Sequence, residues 1–201
     1  MASSDPHDLS PRAREIVGVA LDLLEEEGPD GFSMRRLAER VGIRAPSIYK
    51  HLPDKQALEA AIISVGFELQ ADAFERALVE DANDQLGALA RAYRQFASAH
   101  PHLYRLMTER ELQREMLTPG VEDRAALPVY EAVGRDPDLA RAAWAFAHGM
   151  TILELNRRFP PDADLEAAWD RGLDAFRPSC KITGRKQTPN IDLAGSGTGN
   201  H

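Results

Sequence analysis

Arg44, Ser47, Lys50 and His51 carry hydrogen-bond donors and charge suited to phosphate oxygens and base edges, and they recur every three or four residues. On a helix that spacing places them on one face. The opposite face is apolar, because Ala45, Ile48, Tyr49 and Leu52 fall at i, i+3, i+4 and i+7. A helix that buries one side and offers cations and hydroxyls on the other can lie against a polyanion. Phosphate contacts position such a helix and base edges specify its site. Arg44 and Lys50 are the best candidates for reading guanine, whose O6 and N7 accept from cationic donors.

The elements that must hold this face are legible on either side of it. Met34, Leu37, Ala38 and Val41 form a second apolar stripe, with Ser33 placed to cap its start. Gly42 supplies the turn between the two helices, and Pro46 suits a first helical turn, where its missing N–H costs nothing. Two helices about a short glycine turn, the second polar on its outer face, make a helix-turn-helix. From Ser33 to Lys55 there are six Lys/Arg against two acids, a local +4 in a chain whose net charge is −8. A cationic face on an anionic body is the electrostatic signature of nucleic-acid binding. The competing reading is an αα-hairpin that only packs and whose charges are solvated.

The order of residues bears on that choice. Gly28 through Phe32 leading into Ser33-Met34, then Leu37-Ala38, Val41-Gly42, Ser47-Ile48-Tyr49, His51, Asp54-Lys55 and Leu58 closely resemble the DNA-binding domain of the TetR (tetracycline-repressor-like) family of transcriptional regulators. The resemblance covers about the first sixty residues. It implies an all-α fold: an N-terminal three-helix helix-turn-helix domain whose third helix enters the major groove, then a helical ligand-binding and dimerisation domain. It also implies roles by position. Tyr49 matches a tyrosine whose hydroxyl meets a phosphate, and Lys55 a lysine at the backbone. Arg44, Pro46, Ser47, Lys50 and His51 occupy the recognition-helix positions. Arg44 departs from the family, where a Ser or Thr cap is common and its loss typically costs ~1 kcal/mol. Leu52 stands in place of a frequent Phe, followed by Pro53.

The rest of the chain reads as helices too. Ser10-Pro11 opens one whose stripe is Ile16, Val19, Ala20, Leu23 and Leu24 and which ends at Gly28. Leu58, Ile62, Val65 and Leu69 predict a long helix from Asp54 to about Asp81, coupling the two domains. Leu86 to Ala97 predict another, stopping near His100-Pro101, and Leu103, Leu106 and Met107 a short successor. A loop is expected from about Arg114 to Arg124, with helices over Arg124 to Val133, from Asp136 through Met150, and from Asp164 to Phe176. The division is therefore 1–9 disordered, 10–55 helix-turn-helix domain, 56–176 ligand-binding and dimerisation domain, and 177–201 a disordered tail in which Lys181, Arg185 and Lys186 read as solvated.

Within Ala143 to Leu155, Trp144, His148 and Gly149 resemble the Trp-x-x-x-His-Gly signature of one C-terminal domain type in the same family. Gly149 inside a helix costs about 1 kcal/mol against Ala, so close helix approach or ligand access would be a reason to keep it. His148 either bonds a ligand or satisfies a buried backbone group. A small-molecule pocket would draw on Tyr93, Phe96, Tyr104, Met107, Trp144 and His148, which mix apolar faces with polar tips. The alternative is that this aromatic stripe is simply core. The family implies a homodimer built from the helices around Asp136–Arg158 and Asp164–Phe176. Two-fold symmetry then reads a palindromic operator of double-stranded DNA, and an apolar or amphipathic effector releases it.

Other classes fare worse. At 201 residues, with 43% apolar and 28% charged content, the chain has the composition of an ordinary soluble globular protein. It carries no apolar run long enough to cross a bilayer and no signal-peptide segment at its start, which predicts a cytoplasmic protein without a membrane partner. The single cysteine, Cys180, allows no intrachain disulfide. No nucleophile or metal constellation and no phosphate loop is apparent: His100 and His102 flank Pro101 in poor geometry for shared ligation, and Glu25-Glu26-Glu27 reads as a solvated charge run. No catalytic residue, metal or cofactor is expected. A helical adaptor without DNA binding is the remaining alternative.

Overall fold

The computed structural model describes residues 9–177, and among these every regular element is helical. In chain order they are α1 (Pro11–Gly31), α2 (Met34–Val41), α3 (Ala45–Ile48), α4 (Lys55–Glu80), α5 (Gln85–Ala99), α6 (Pro101–Thr108), α7 (Val121–Ala132), α8 (Pro137–Leu155) and α9 (Leu165–Leu173). Short 3₁₀ turns lie at Arg114–Met116 and Asp174–Phe176. The fold is all-α, as expected. The expectations for the first nine residues and the tail, including Cys180, Lys181, Arg185 and Lys186, fall outside the described residues apart from Leu9 and Arg177.

Capping explains where most of these helices begin. Ser10 Oγ accepts from Ala13 N at 3.2 Å and Ser33 Oγ from Arg36 N at 3.3 Å. Carboxylates do the same later: Asp54 from Ala57 N at 2.7 Å, Asp136 from Leu139 N at 3.1 Å and Asp164 from Ala167 N at 3.0 Å. Each such cap contributes ~1 kcal/mol. Gly42 ends α2 at φ 73°, sending its N–H to Glu39 O and leaving Ile43 N to bond Ala38 O. Only a residue tolerant of left-handed backbone closes a helix this way.

Three local expectations need correction. The helical continuation through Leu52 does not form: α3 stops at Ile48 and residues 49–52 turn. Arg44 makes no side-chain cap, and Pro53 restricts Leu52 to extended backbone, so the element is short at both ends. The loop expected to Arg124 ends earlier, with α7 beginning at Val121. Val121 and Leu117 are buried against Ala60, and that anchorage starts the helix before its apolar periodicity becomes visible. In α1, Gly28 breaks the helix as expected (φ 68°, ψ 178°), but a further turn beginning at Pro29 carries on to Gly31. Val19 is only half-buried there, while Ala13 and Val17 join the buried stripe.

The described chain forms two compact units, whose boundaries fall inside α4, α5 and the first turn of α7. The first holds the residues up to Gln70 together with Phe96–Glu122. In it α1 packs on both α2 and α6, and α2 packs on α3. Ile16, Leu23, Leu37, Ile48, Leu58 and Ile62 are buried here. The second unit holds Ala71–Gln95 and the residues from Asp123 onward. Its core joins Leu86 and Ala90 of α5, Tyr130 and Val133 of the α7 segment, Ala140 and Ala143 of α8, and Trp169 and Leu173 of α9. Arg94 braces it: Nε donates to Glu154 Oε2 at 2.6 Å, a second nitrogen pairs with Glu166, and Trp169 Nε1 donates to the other Glu154 oxygen at 2.5 Å. Burial alone would lower the Arg94 pKa, but its bonds to Glu166 and Glu154 outweigh it and raise the value. Arg94 is thereby paired with both acids at once.

Candidate nucleic-acid interface

The basic island of the first unit divides into cations that are used internally and cations that are not. Arg40 of α2 makes a two-pronged pair with Glu26 of α1, at 2.6 and 2.7 Å. Arg36 donates from Nη2 to Glu27 Oε1 at 2.8 Å; its Nη1 lies 2.7 Å from Oε2 as a Coulombic contact without a second hydrogen bond. The bond from Arg40 holds the Glu26 carboxyl below the usual carboxylate range, and the same bond raises Arg40. Arg35 faces Glu39 at 3.8 Å, too long for a hydrogen bond, with most of its side chain in water. Glu25-Glu26-Glu27 is therefore not simply a solvated run, as the sequence suggested.

Past α2 the pattern changes. Arg44, Lys50 and His51 are exposed, with no ion pair or side-chain hydrogen bond among the described residues. Tyr49 is 44% exposed, a large aromatic left open to solvent just past the end of α3. Pro46 is exposed and Ser47 half-buried, so the hydroxyl lies deeper than the helical face implies. Ile48 and Leu52, at 0% and 2% exposure, pin the segment from below. Lys55, at the start of α4, pairs with Glu59 at 3.2 Å, an oxygen it shares with Arg110 at 3.4 Å. The DNA-binding candidates thus gather on one short segment, all of them unpaired except Lys55.

The six pocket candidates do not gather in one unit. Phe96, Tyr104 and Met107 are buried in the first, where the Phe96 ring lies 5.4 Å from that of His100. Tyr93 is buried in the second, stacked on Phe74 at 6.4 Å. Trp144 and His148 stack on each other at 6.1 Å along α8, with Trp144 55% exposed. The roles of Glu26 and Glu27 were missed by the sequence reading. Their signal was available in retrospect: Arg36 and Arg40 stand four apart on α2, one helical turn, facing two adjacent acids at the end of α1.

Comparison with known proteins agrees with this architecture. Residues 16–62 match the model for bacterial regulatory proteins of the tetR family, and residues 86–176 match a tetracyclin repressor-like C-terminal domain. An uncharacterised HTH-type transcriptional regulator of Bacillus subtilis, YobS, is 25% identical over 168 residues, 78% of this chain and 88% of that one. The class A tetracycline repressor of Escherichia coli is 47% identical over 47 residues, 23% of this chain and 22% of its own. Among solved structures, a TetR variant from Acinetobacter baumannii in complex with minocycline is 25% identical at TM-score 0.57, covering 84% of this chain and 94% of that one. The chain belongs to the TetR family of DNA-binding transcriptional regulators. The adaptor alternative is not favoured. Regulators of this family are generally not enzymes. Among the described residues no helix is long and apolar enough to cross a membrane.

Proposed function

We propose that this regulator is a homodimeric repressor that holds a palindromic operator and releases it on binding an apolar or amphipathic small molecule. The observation that carries the DNA half of this reading is the unpaired set Arg44, Tyr49, Lys50 and His51 on one exposed segment. Cations already engaged in internal pairs would have to give those up to meet phosphate; these need not. Arg44 and Lys50 then read bases, Tyr49 and Lys55 meet phosphates, and Pro46, Ser47 and His51 complete the contact face.

The dimer half rests on α8. Its inner arc carries Ala140, Ala143 and Thr151, buried, and its outer arc carries Ala142, Trp144, Ala145, His148, Gly149, Ile152 and Leu153, partly or fully exposed. A Cβ added to Gly149 would have nothing within 4 Å beyond its own helix backbone, so no neighbour among the described residues requires a glycine there. Exposed apolar helix faces of this kind mark association surfaces, and two copies would match two half-sites about one turn, ~34–36 Å, apart. The effector half rests on the minocycline complex of the Acinetobacter relative. Of the residues proposed as contributors, Phe96, Tyr104 and Met107 belong to the first unit and Tyr93, Trp144 and His148 to the second, and each set is proposed by itself. A ligand releases DNA only to the extent that it binds the two states unequally. A repressor of this kind works in the cytoplasm, without enzymatic activity.

A gel shift on the DNA flanking its own gene tests the reading, with wild type and the Tyr49→Phe/Lys50→Ala double variant. Wild type is expected to bind a palindrome steeply weakened by salt, and the double variant to bind at least tenfold more weakly, on the order of 1–3 kcal/mol for the lost cation alone. Equal binding by both would refute the assignment of this segment.

A further inference from the structure

Lys55 differs from the other DNA-binding candidates in already having a partner, the Oε1 oxygen of Glu59 at 3.2 Å. The pair is poorly matched in three ways. A lysine four residues ahead of a glutamate is the less favourable order on a helix. Lys55 is the first residue of α4, where the positive end of the helix dipole disfavours a cation. Its side chain is 56% exposed, so water competes with the carboxylate for it. Glu59 is the more enclosed of the two, its side chain 23% exposed. The acid therefore needs a cation more than Lys55 needs the acid.

A second cation reaches the same oxygen. Arg110, in the segment that follows α6, donates from Nη1 to Glu59 Oε1 at 3.4 Å. That segment is pinned to α4 just beyond Glu59. Leu112 and Met116 pack against the cluster that contains Ala60 and Leu117. Ser64, buried on α4, accepts from Thr118 N at 3.0 Å and donates to Ala60 O at 2.9 Å. Arg110 is thus brought to Glu59 by an apolar seat and a hydroxyl, and all of these residues lie in the first unit.

A phosphate bonded to Lys55 where it stands would lie within roughly 6 Å of Glu59 Oε1, inside the screening length of about 8 Å. Like charges at that range repel, and a half-buried carboxylate that loses its cation is left uncompensated. We propose that Arg110 is the standby counter-ion of Glu59: it keeps the carboxylate neutralised, so that Lys55 is free to meet phosphate. This rests on the reading of Lys55 as a phosphate contact. Arg110 is a positioning residue, acting through Glu59 and not on DNA. Its planar fork suits the task, since it can span both carboxylate oxygens once Lys55 withdraws.

The test uses the full chain and a duplex that wild type selects from a random-sequence pool, with affinity read across a range of salt. The variants are Arg110→Ala, Arg110→Lys, Glu59→Gln and Glu59→Gln/Arg110→Ala, with Lys55→Ala as control. Arg110→Ala is expected to weaken binding by about threefold to fivefold, the scale of one exposed ion pair, with the salt slope unchanged. Arg110→Lys, which keeps a cation, should recover part of that loss. Glu59→Gln frees Lys55 outright and should bind at least as tightly as wild type. In that background Arg110→Ala should change affinity by less than about twofold, because the carboxylate it served is gone. An equal loss in both backgrounds overturns the proposal: with the slope lowered by about one it makes Arg110 a phosphate contact, and with the slope unchanged a support of the fold. Unchanged affinity for Arg110→Ala in the wild-type background overturns it as well. If Lys55→Ala binds as wild type does, the phosphate reading of Lys55 is what fails, and the role of Arg110 falls with it.

Discussion

The segment from Arg44 to Lys50 and the outer arc of α8 both present side chains to solvent among the described residues, but with opposite chemistry. The first leaves Arg44 and Lys50 unpaired beside an open Tyr49. The second leaves Trp144 at 55% and Leu153 at 39% exposure around a bare Gly149. Charge on a surface is ordinary, and exposed ion pairs are worth only about 0–1 kcal/mol. What distinguishes the first segment is that its cations are unspent while Arg36 and Arg40 of α2 are committed to α1. An exposed arc rich in apolar side chains is the less ordinary feature, since water is their poorest neighbour. One surface suits a polyanion, and the other is the one we propose meets a second copy.

The sharpest way to break that contrast is to charge the apolar arc. Ala145→Glu/Leu153→Glu is expected to convert a two-chain species into a single chain by sedimentation velocity, with helical content by circular dichroism unchanged. Binding to a full palindrome should then fall by on the order of 10²-fold or more, because each half-site is met alone. A variant that still sediments as two chains would remove α8 from the interface.

Much of this contrast was legible in the sequence, and the reasons it was not wholly so are physical. The periodicity of Met34–Val41 and Leu58–Leu69 reports burial on one face, so α2 and α4 fall where their apolar residues place them. Periodicity cannot report a partner distant along the chain. Val121 begins α7 early because it packs on Ala60, and Glu25 finds α6 more than seventy residues away. The same limit applies to Arg36 and Arg40, which look like two more DNA cations until α1 supplies their counter-ions. Trp144 carried the opposite ambiguity: an aromatic at helical spacing suggests an interior, but its angle on α8 turns it outward.

Two glycines sharpen the comparison at smaller scale. Gly172 on α9 is packed from within, since a Cβ there would sit 2.0 Å from Cζ of Phe146. Phe146 is itself held edge-on against Trp169 at 5.5 Å and beside Phe176 at 5.6 Å, so it has little room to yield. Gly172→Ala should therefore cost about 1–3 kcal/mol in urea unfolding. Gly149→Ala should behave oppositely. With no neighbour among the described residues, the added methyl favours the helix by up to ~1 kcal/mol, but it stands in the arc proposed to meet a second copy. A tighter fold with a weaker dimer is the expected outcome; a tighter fold with an unchanged dimer dissociation constant would move the contact away from Gly149.

The smallest effect separates surface charge that is paired from surface charge that is free. Asp84, ahead of α5, accepts from Arg177 Nη1 at 2.7 Å and from Gly87 N at 3.2 Å. The Arg177 bond, offset in part by burial, holds its carboxyl below the usual value. A lowered carboxyl contributes stability that is complete above the unfolded value, about pH 4, and disappears as pH falls through the folded one. Unfolding free energy measured in urea should then drop more between pH 6 and pH 3 for wild type than for Asp84→Asn, by less than about 1 kcal/mol given solvent screening. Lys50→Ala, by contrast, should leave that pH profile and the unfolding midpoint unchanged while weakening DNA binding. A free cation serves a partner, and its loss is felt only when the partner is present.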